Sequence, residues 1–247
     1  MNSGAVHFSI AADAAWAPGI ETREAWQAWS TGTCRIEAGS EPKLAAMPPM
    51  LRRRTGMPSK MALEVAYQCL GDQRDVPTVF CSRHGEVQRS VTLLSDLARG
   101  EPLSPTAFGM SVHNAAGGLF SIARADHANN IALSAGKSGV EHAVIEACGL
   151  LQDGESEVLL VVYDGTLPAA YAAFRDEDDA PYAWAWLMRP AGETNTVSLS
   201  WCTTEAAEAA ARESMPAGLA ILRFHVRGDR ELERTCDARR WRWVRDA

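Results

Sequence analysis

The chain has 247 residues, of which 47% are apolar and 22% charged, with a formal net charge of −7 at pH 7. That length and composition suit a globular protein with one large core. The acidic balance argues against nucleic acid as a partner, since phosphate contacts need a basic surface. No apolar run approaches membrane-spanning length, and no basic-then-apolar leader opens the chain. The six cysteines form no CxxC and no Cys/His pair at zinc spacing, so neither a metal nor structural disulfides are expected. Cysteine usage of this kind implies a reducing, cytoplasmic location.

In chain order, a strand is expected over residues 6–11, and Ala17-Pro18-Gly19 marks a break after it. A short helix over 21–30 carries Trp26 and Trp29 on one face, read as core or subunit packing. Pro48-Pro49 stops regular structure. Met61, Leu63, Val65, Ala66 and Leu70 spell a buried helix over 59–70, with Ser59 as candidate N-cap. A strand over 76–82 and a helix over 90–99 come next, with Gly100 just past the helix end. Ser104-Pro105 opens a loop, and the segment from Phe108 to Arg124 is rich in small residues that permit close backbone packing.

The organising stretch comes next. An apolar strand over 130–134 leads through Ala135-Gly136-Lys137-Ser138-Gly139 into an amphipathic helix over 140–151, then a strand over 157–163. This reads as one βαβ unit of about 40 residues. Beyond it come an acidic run, Asp176-Glu177-Asp178-Asp179, read as a solvated loop, and strands over 182–187 and 196–201. An alanine-rich helix over 205–213, a strand over 219–226 and the tail Trp241-Arg242-Trp243-Val244 complete the chain. Strands alternating with helices imply an α/β layer fold with a largely parallel sheet.

Tested for chemistry, the turn is empty. Gly136-Lys137-Ser138 lacks the earlier glycine of a phosphate-wrapping loop, because Ile131 stands there. No GxGxxG follows a strand, so no dinucleotide cofactor is expected. A nucleophile elbow needs one residue more than Gly136-Lys137-Ser138-Gly139 supplies. Ser138 could draw on His142 one helical turn on, but no third group orients it. His84 and His113 read as structurally satisfied, and Cys148 as a buried, protonated thiol. The acidic run lacks the alternation and glycine turn of a calcium loop.

Several motifs together resemble β-ketoacyl-acyl-carrier-protein synthases. They are Asn114-Ala115-Ala116-Gly117-Gly118, the strand ending in Ser134-Ala135-Gly136, Val140-Glu141-His142-Ala143, and Leu159-Leu160-Val161-Val162-Tyr163-Asp164-Gly165. In that family a Thr-Ala-Cys tripeptide places a thiol at a helix start, whose positive end lowers the thiol pKa. The matching tripeptide here is Ser134, Ala135 and Gly136, so a hydrogen stands where the nucleophile belongs. The family's second half, with its two histidines, has no counterpart in the residues after Trp186.

Trp16-Ala17-Pro18-Gly19, the tryptophan pair, Pro48-Pro49-Met50-Leu51-Arg52-Arg53 and Met61-Ala62-Leu63-Glu64-Val65-Ala66 look like the short chain-length factors of aryl polyene and fatty-acid-like synthases. The resemblance implies a thiolase-like fold, layered α-β-α around a mixed, mostly parallel sheet with its second half truncated. Residues 1–190 would be the ketosynthase N-terminal-like domain and 191–247 a reduced extension on the same core. It also implies a non-catalytic subunit in heterodimer with an active ketosynthase, serving an acyl carrier protein. Asn114, Asn130, Ile131 and Leu133 would meet the partner, and Phe108 and Met110 would gate its acyl tunnel. Arg52, Arg53 and Arg54 are the candidate carrier-docking residues. Two rivals stand beside this reading: an acyltransferase using Cys81, Cys148 or Ser138, and a carrier-binding scaffold that needs no ketosynthase.

Overall fold

The computed structural model describes residues 3–37, 39–192, 195–204 and 215–246. The elements, in order, are β1 (Ser3–Trp16), α1 (Arg23–Ser30), α2 (Pro49–Arg52), α3 (Met57–Leu70), β2 (Thr78–Cys81) and α4 (Val87–Ala98). Next come α5 (Pro105–Gly109), α6 (Ala115–Arg124), β3 (Asn130–Leu133), α7 (Gly139–Gln152), β4 (Val158–Asp164) and β5 (Tyr182–Pro190). β6 (Thr196–Thr203), α8 (Ala217–Arg227), β7 (Glu231–Cys236) and β8 (Arg239–Arg245) close the chain.

All eight strands join one sheet, in the order β3-β2-β4-β5-β1-β6-β8-β7. The long β1 knits it together. Residues 8–16 pair with β5 and residues 3–9 with β6 on its other side, and a bulge between Ile10 and Ala12 interrupts the β5 register. Helices cover both faces. One core packs α1, α7 and α8 against Val79, Leu160, Trp184, Trp186 and Trp243. The other packs α3 and α6 against Phe80, Leu159, Val161 and Leu187. In β5 the large residues Tyr182, Trp184, Trp186 and Met188 face the first core, and Ala183 and Ala185 face the second. The strand is buried on both faces, and its size alternation records the different depths of the two layers.

Three expectations are corrected. The sheet is mixed, but it is not mostly parallel. Only β2–β3 and β2–β4 run parallel, while β4–β5, β5–β1, β1–β6, β6–β8 and β8–β7 are antiparallel. Parallel neighbours need a crossover helix, and between β4 and β5 only a short 3₁₀ segment intervenes.

Residues 219–226 lie in helix α8, not in a strand. Leu219 with Leu222 and Ile221 with Phe224 stand three apart, at helical spacing, on its buried face. Pro216 before its start and left-handed Gly228 after its end (φ 67°) are the punctuation that branched and aromatic composition masked. Ser59 does not cap α3, which starts two residues earlier from Gly56; its hydroxyl instead donates to Glu86 at 2.6 Å.

β7 is an addition. It pairs with β8 across Asp237-Ala238, both left-handed (φ 52° and 55°) as a two-residue hairpin turn requires. Neither residue is the glycine that would have advertised the turn. The helix expected over 205–213 lies outside the described residues.

Candidate functional site

The βαβ stretch folds as the sequence implies. β3 and β4 flank β2, and α7 crosses between them. At the tip, Gly136 is exposed, with φ at +61°, and a Cβ built there would touch nothing within 4 Å. The tip has room for a side chain, but its backbone lies in the left-handed region that glycine alone enters without strain. A short 3₁₀ turn, Gly136–Ser138, then runs into α7. Ser134 beside it is exposed and donates to the Arg83 carbonyl at 3.2 Å.

The positive end of α7 is already occupied. The Ser138 N–H (3.2 Å) and hydroxyl (2.6 Å) both donate to Asp237 Oδ2, at the tip of the β7–β8 hairpin. A carboxylate there satisfies the helix's open donors and complements its dipole. The arrangement also excludes a Ser138–His142 dyad. His142 Nδ1 lies 2.8 Å from the Ser138 carbonyl oxygen, and its Nε2 accepts from Arg239 at 3.0 Å. With the hydroxyl on Asp237 and the imidazole elsewhere, Ser138 has no base. One turn deeper, Glu141 is fully buried and paired with Arg234, whose guanidinium also reaches the Lys137 carbonyl. Burial pushes the Glu141 carboxyl above its usual range, against the pull of Arg234.

Below the turn is a cavity of about 20 Å³ lined by Cys81, Gly139, Val140, Val162, Asp164 and Tyr182, room for about one water. Cys81 is buried, and burial raises its thiol pKa far above the ordinary value. The Cys148 thiol is pushed up to about 12 by the same cause. Neither supplies a thiolate near neutral pH. Asp164 is half-buried, and accepts from Ser82 Oγ (2.8 Å) and from the backbone N–H of Arg83 (3.1 Å) and His84 (2.9 Å). His84 thus contributes its backbone to the site. The His113 ring bonds the Leu133 carbonyl at 3.1 Å and crowds Gly85, bracing β3 against the 82–86 loop.

The acidic run is not a free solvated loop. Arg83 forks onto Asp176 at 2.8 and 2.9 Å and lies 3.3 Å from Glu177. Lys137 approaches Asp176 at 3.3 Å. Hydrogen bonding from Arg83 holds the Asp176 carboxyl down at about 2, whereas burial raises that of Glu177. This ion-pair cluster closes over the turn, and a charge run alone could not reveal it, because its cations lie about 40 and 90 residues upstream.

The remaining candidates separate. β3 is bonded to one neighbour only. The Asn129 and Leu133 carbonyls accept from Thr78 and Ser82 on β2 at 2.8 and 3.2 Å. By strand alternation the N–H and C=O of Asn130 and Ala132 therefore face outward. The Asn130 side chain itself turns inward, donating to Thr78 Oγ1 at 2.7 Å and filling the space a Cβ on Gly117 would need. Ile131 and Leu133 are half-buried and Asn114 is exposed.

Phe108 is 64% exposed, whereas Met110 packs on the α3–α6 core. Leu94, Leu97, Leu103, Val112 and Ile122, near Phe108 in sequence, are exposed as well. Arg53 and Arg54 are exposed; Arg52 donates to the Lys43 and Leu44 carbonyls at 3.3 Å. None of the three meets a carboxylate among the described residues. No helix of the described residues is long and apolar enough to cross a membrane.

With this geometry in place, comparison with known proteins gives the class. The sequence matches the family "Beta-ketoacyl synthase, N-terminal domain" over residues 26–244. The chain belongs to that family. A solved chain from "Ketosynthase (ApeO) in complex with its chain length factor (ApeC)" of Xenorhabdus doucetiae is 28% identical, with a TM-score of 0.85, covering 97% of this chain and 100% of that one. A chain of the ishigamide ketosynthase/chain length factor is 14% identical at a TM-score of 0.62, covering 81% of this chain and 68% of its own. A β-ketoacyl synthase from Burkholderia phymatum STM815 is 13% identical at 0.55, covering 74% and 59%. The last two share the fold. No curated protein matches the sequence. The chain is thus ketosynthase-like, and it is similar over its length to a chain from a ketosynthase–chain-length-factor complex.

Proposed function

We propose that this protein is a non-catalytic chain-length factor. It pairs with an active ketosynthase, stabilises it, and limits the growing acyl chain of an aryl polyene or related fatty-acid-like product. The observation that carries the reading is Gly136: an exposed, roomy, left-handed tip between strand and helix with no nucleophile on it. The buried, raised thiols of Cys81 and Cys148 and the diverted Ser138 favour this over an acyltransferase. Residues 1–190 act as the ketosynthase-like domain, and 191–247 as the reduced extension that completes its sheet.

In this reading β3 adds to the partner's edge strand, as strand-to-strand pairing would satisfy its outward backbone groups. Asn114, Ile131 and Leu133 border that contact. Phe108, and Met110 behind it, shape the partner's tunnel by bulk, and Arg52, Arg53 and Arg54 receive an acidic carrier protein.

Co-expression with the ketosynthase of the same system tests the pairing. A stable one-to-one complex is expected, in which acyl label enters the partner alone. Label on this chain when purified by itself would overturn the assignment. Phe108→Ala should lengthen the product by at least one two-carbon unit, and unchanged product length removes Phe108 from the gate.

A further inference from the structure

A cleft of about 500 Å³ opens between the end of β1, helix α1 and helix α8, with Arg245 of β8 at its wall. It shares no residue with the Gly136 turn or the β3 edge, and its size falls in the range of small-molecule sites. Its charge departs from that of the whole molecule. In a chain of net charge −7, three arginines, Arg23, Arg227 and Arg245, together with His225, line it against two carboxylates, Asp13 and Glu21.

The partners of these groups decide what the cleft can hold. Arg245 Nη2 lies 3.2 Å from His225 Nδ1. A guanidinium only donates, so Nδ1 accepts and the ring proton sits on Nε2. That nitrogen faces Asp13 Oδ1 at 3.6 Å, and hydrogen bonding with His225 is the main cause that holds the Asp13 carboxyl below its usual range. Asp13 is therefore engaged. Arg245 stacks over the Phe224 ring at 5.6 Å, meets no carboxylate among the described residues, and has a buried Nε without a hydrogen-bond partner. Arg227 shares its charge with Asp229 at 3.6 Å, and Arg23 is exposed with no ion-pair partner at salt-bridge distance among the described residues. A half-buried guanidinium with an unpartnered Nε and no carboxylate at salt-bridge distance among the described residues is a charge in want of an anion.

We infer that this cleft binds a small organic oxyanion, a carboxylate or a phosphate, whose charged end meets Arg245 and Arg23. The rest of the molecule lies along Trp26 and Leu222 at the cleft floor. This site is independent of the chain-length-factor reading and stands or falls apart from it.

Tryptophan fluorescence and calorimetry on the full chain test it. Trp26 lines the cleft, and the Trp186 ring centroid is 5.2 Å from that of His225. Sodium phosphate and sodium benzoate are titrated as probes against sodium chloride at matched ionic strength. Saturable binding of either probe is expected, weakened about tenfold by Arg245→Gln and by Arg23→Gln, as losing one charge-assisted contact implies. Arg23 is exposed, so Arg23→Gln preserves the fold and keeps the test valid should Arg245→Gln unfold. A response to benzoate alone assigns a carboxylate ligand, and to phosphate alone a phosphate ligand. No response beyond that to chloride, or undiminished affinity in Arg23→Gln, overturns the site.

Discussion

The two edges of the sheet are built on opposite principles. At one end β7 presents Glu231, Glu233 and Thr235 to solvent, with Arg242 of β8 2.5 Å from Glu231. Charges along an edge strand repel further strands. Its inward residues are anchored: Arg234 pairs with the buried Glu141 of α7. At the other end β3 is Asn130-Ile131-Ala132-Leu133, without a charge, only half-buried, and preceded in sequence by exposed apolar side chains from Leu94 to Ile122. An uncharged edge strand with open backbone groups is one that proteins cover. The difference separates an edge closed by charge from an edge whose outward backbone groups stand open, and the proposed pairing with a ketosynthase would use the second.

That contrast can be broken from either end. The largest effect is expected at the anchored edge. Arg234→Met strands the Glu141 carboxylate in the core and should cost ~3–5 kcal/mol, read as a lower denaturant midpoint at unchanged slope. Replacing both residues with apolar ones should recover most of the loss.

At the open edge, Ala132→Pro removes an outward N–H without touching the bonds to β2. It should weaken ketosynthase pairing by about 2–3 kcal/mol, one lost buried hydrogen bond plus a steric term, while the isolated chain melts within a degree or two of the parent. Pull-down and thermal melts together separate the two outcomes.

A smaller effect comes from the double change Glu231→Val and Glu233→Val. Stripping the charges from β7 should make it self-associate, seen by light scattering as concentration-dependent dimer or larger species. If it stays monomeric, charge is not what guards that edge.

The smallest concerns the turn that β3 feeds. Asp176 has a folded-state pKa of about 2, below the ordinary aspartate value of 3.8. A depressed carboxylate pKa stabilises the fold above the unfolded value, and that stability is lost as pH falls from about 4 to about 2. The Asp176 side chain is 41% exposed, so screening holds the contribution to under ~1 kcal/mol. Asp176→Asn should lower stability by that amount near neutral pH and leave it equal to the parent near pH 2, so that the acid limb of the pH–stability curve flattens.

Much of this was legible in the residues. The strand over 130–134, the turn at Gly136 and the helix over 140–151 were readable because apolar periodicity and small-residue punctuation are local signals. The tryptophan pair, read as core or subunit packing, lies in the core, where Trp26 and Trp29 meet edge-on at 5.1 Å. The errors have local causes as well. Residues 219–226 read as a strand because branched and aromatic side chains outweighed the capping at Pro216 and Gly228. β7 escaped because its alternation of charge and polarity carries little hydrophobic contrast, and its turn uses no glycine.

By itself, then, the sequence determined the class of fold, the strand–turn–helix at its centre, and the glycine at its tip. These depend on neighbours along the chain, whose spacing sets periodicity and turn chemistry. Tertiary structure alone decided strand direction, the seating of Asp237 at the helix start, the Arg83–Asp176 closure and the pairing of Arg234 with Glu141. Each of these three contacts joins residues about 90 or more positions apart, where the energy lies in desolvated charge and shared burial, and neither has a signature until the chain folds back on itself.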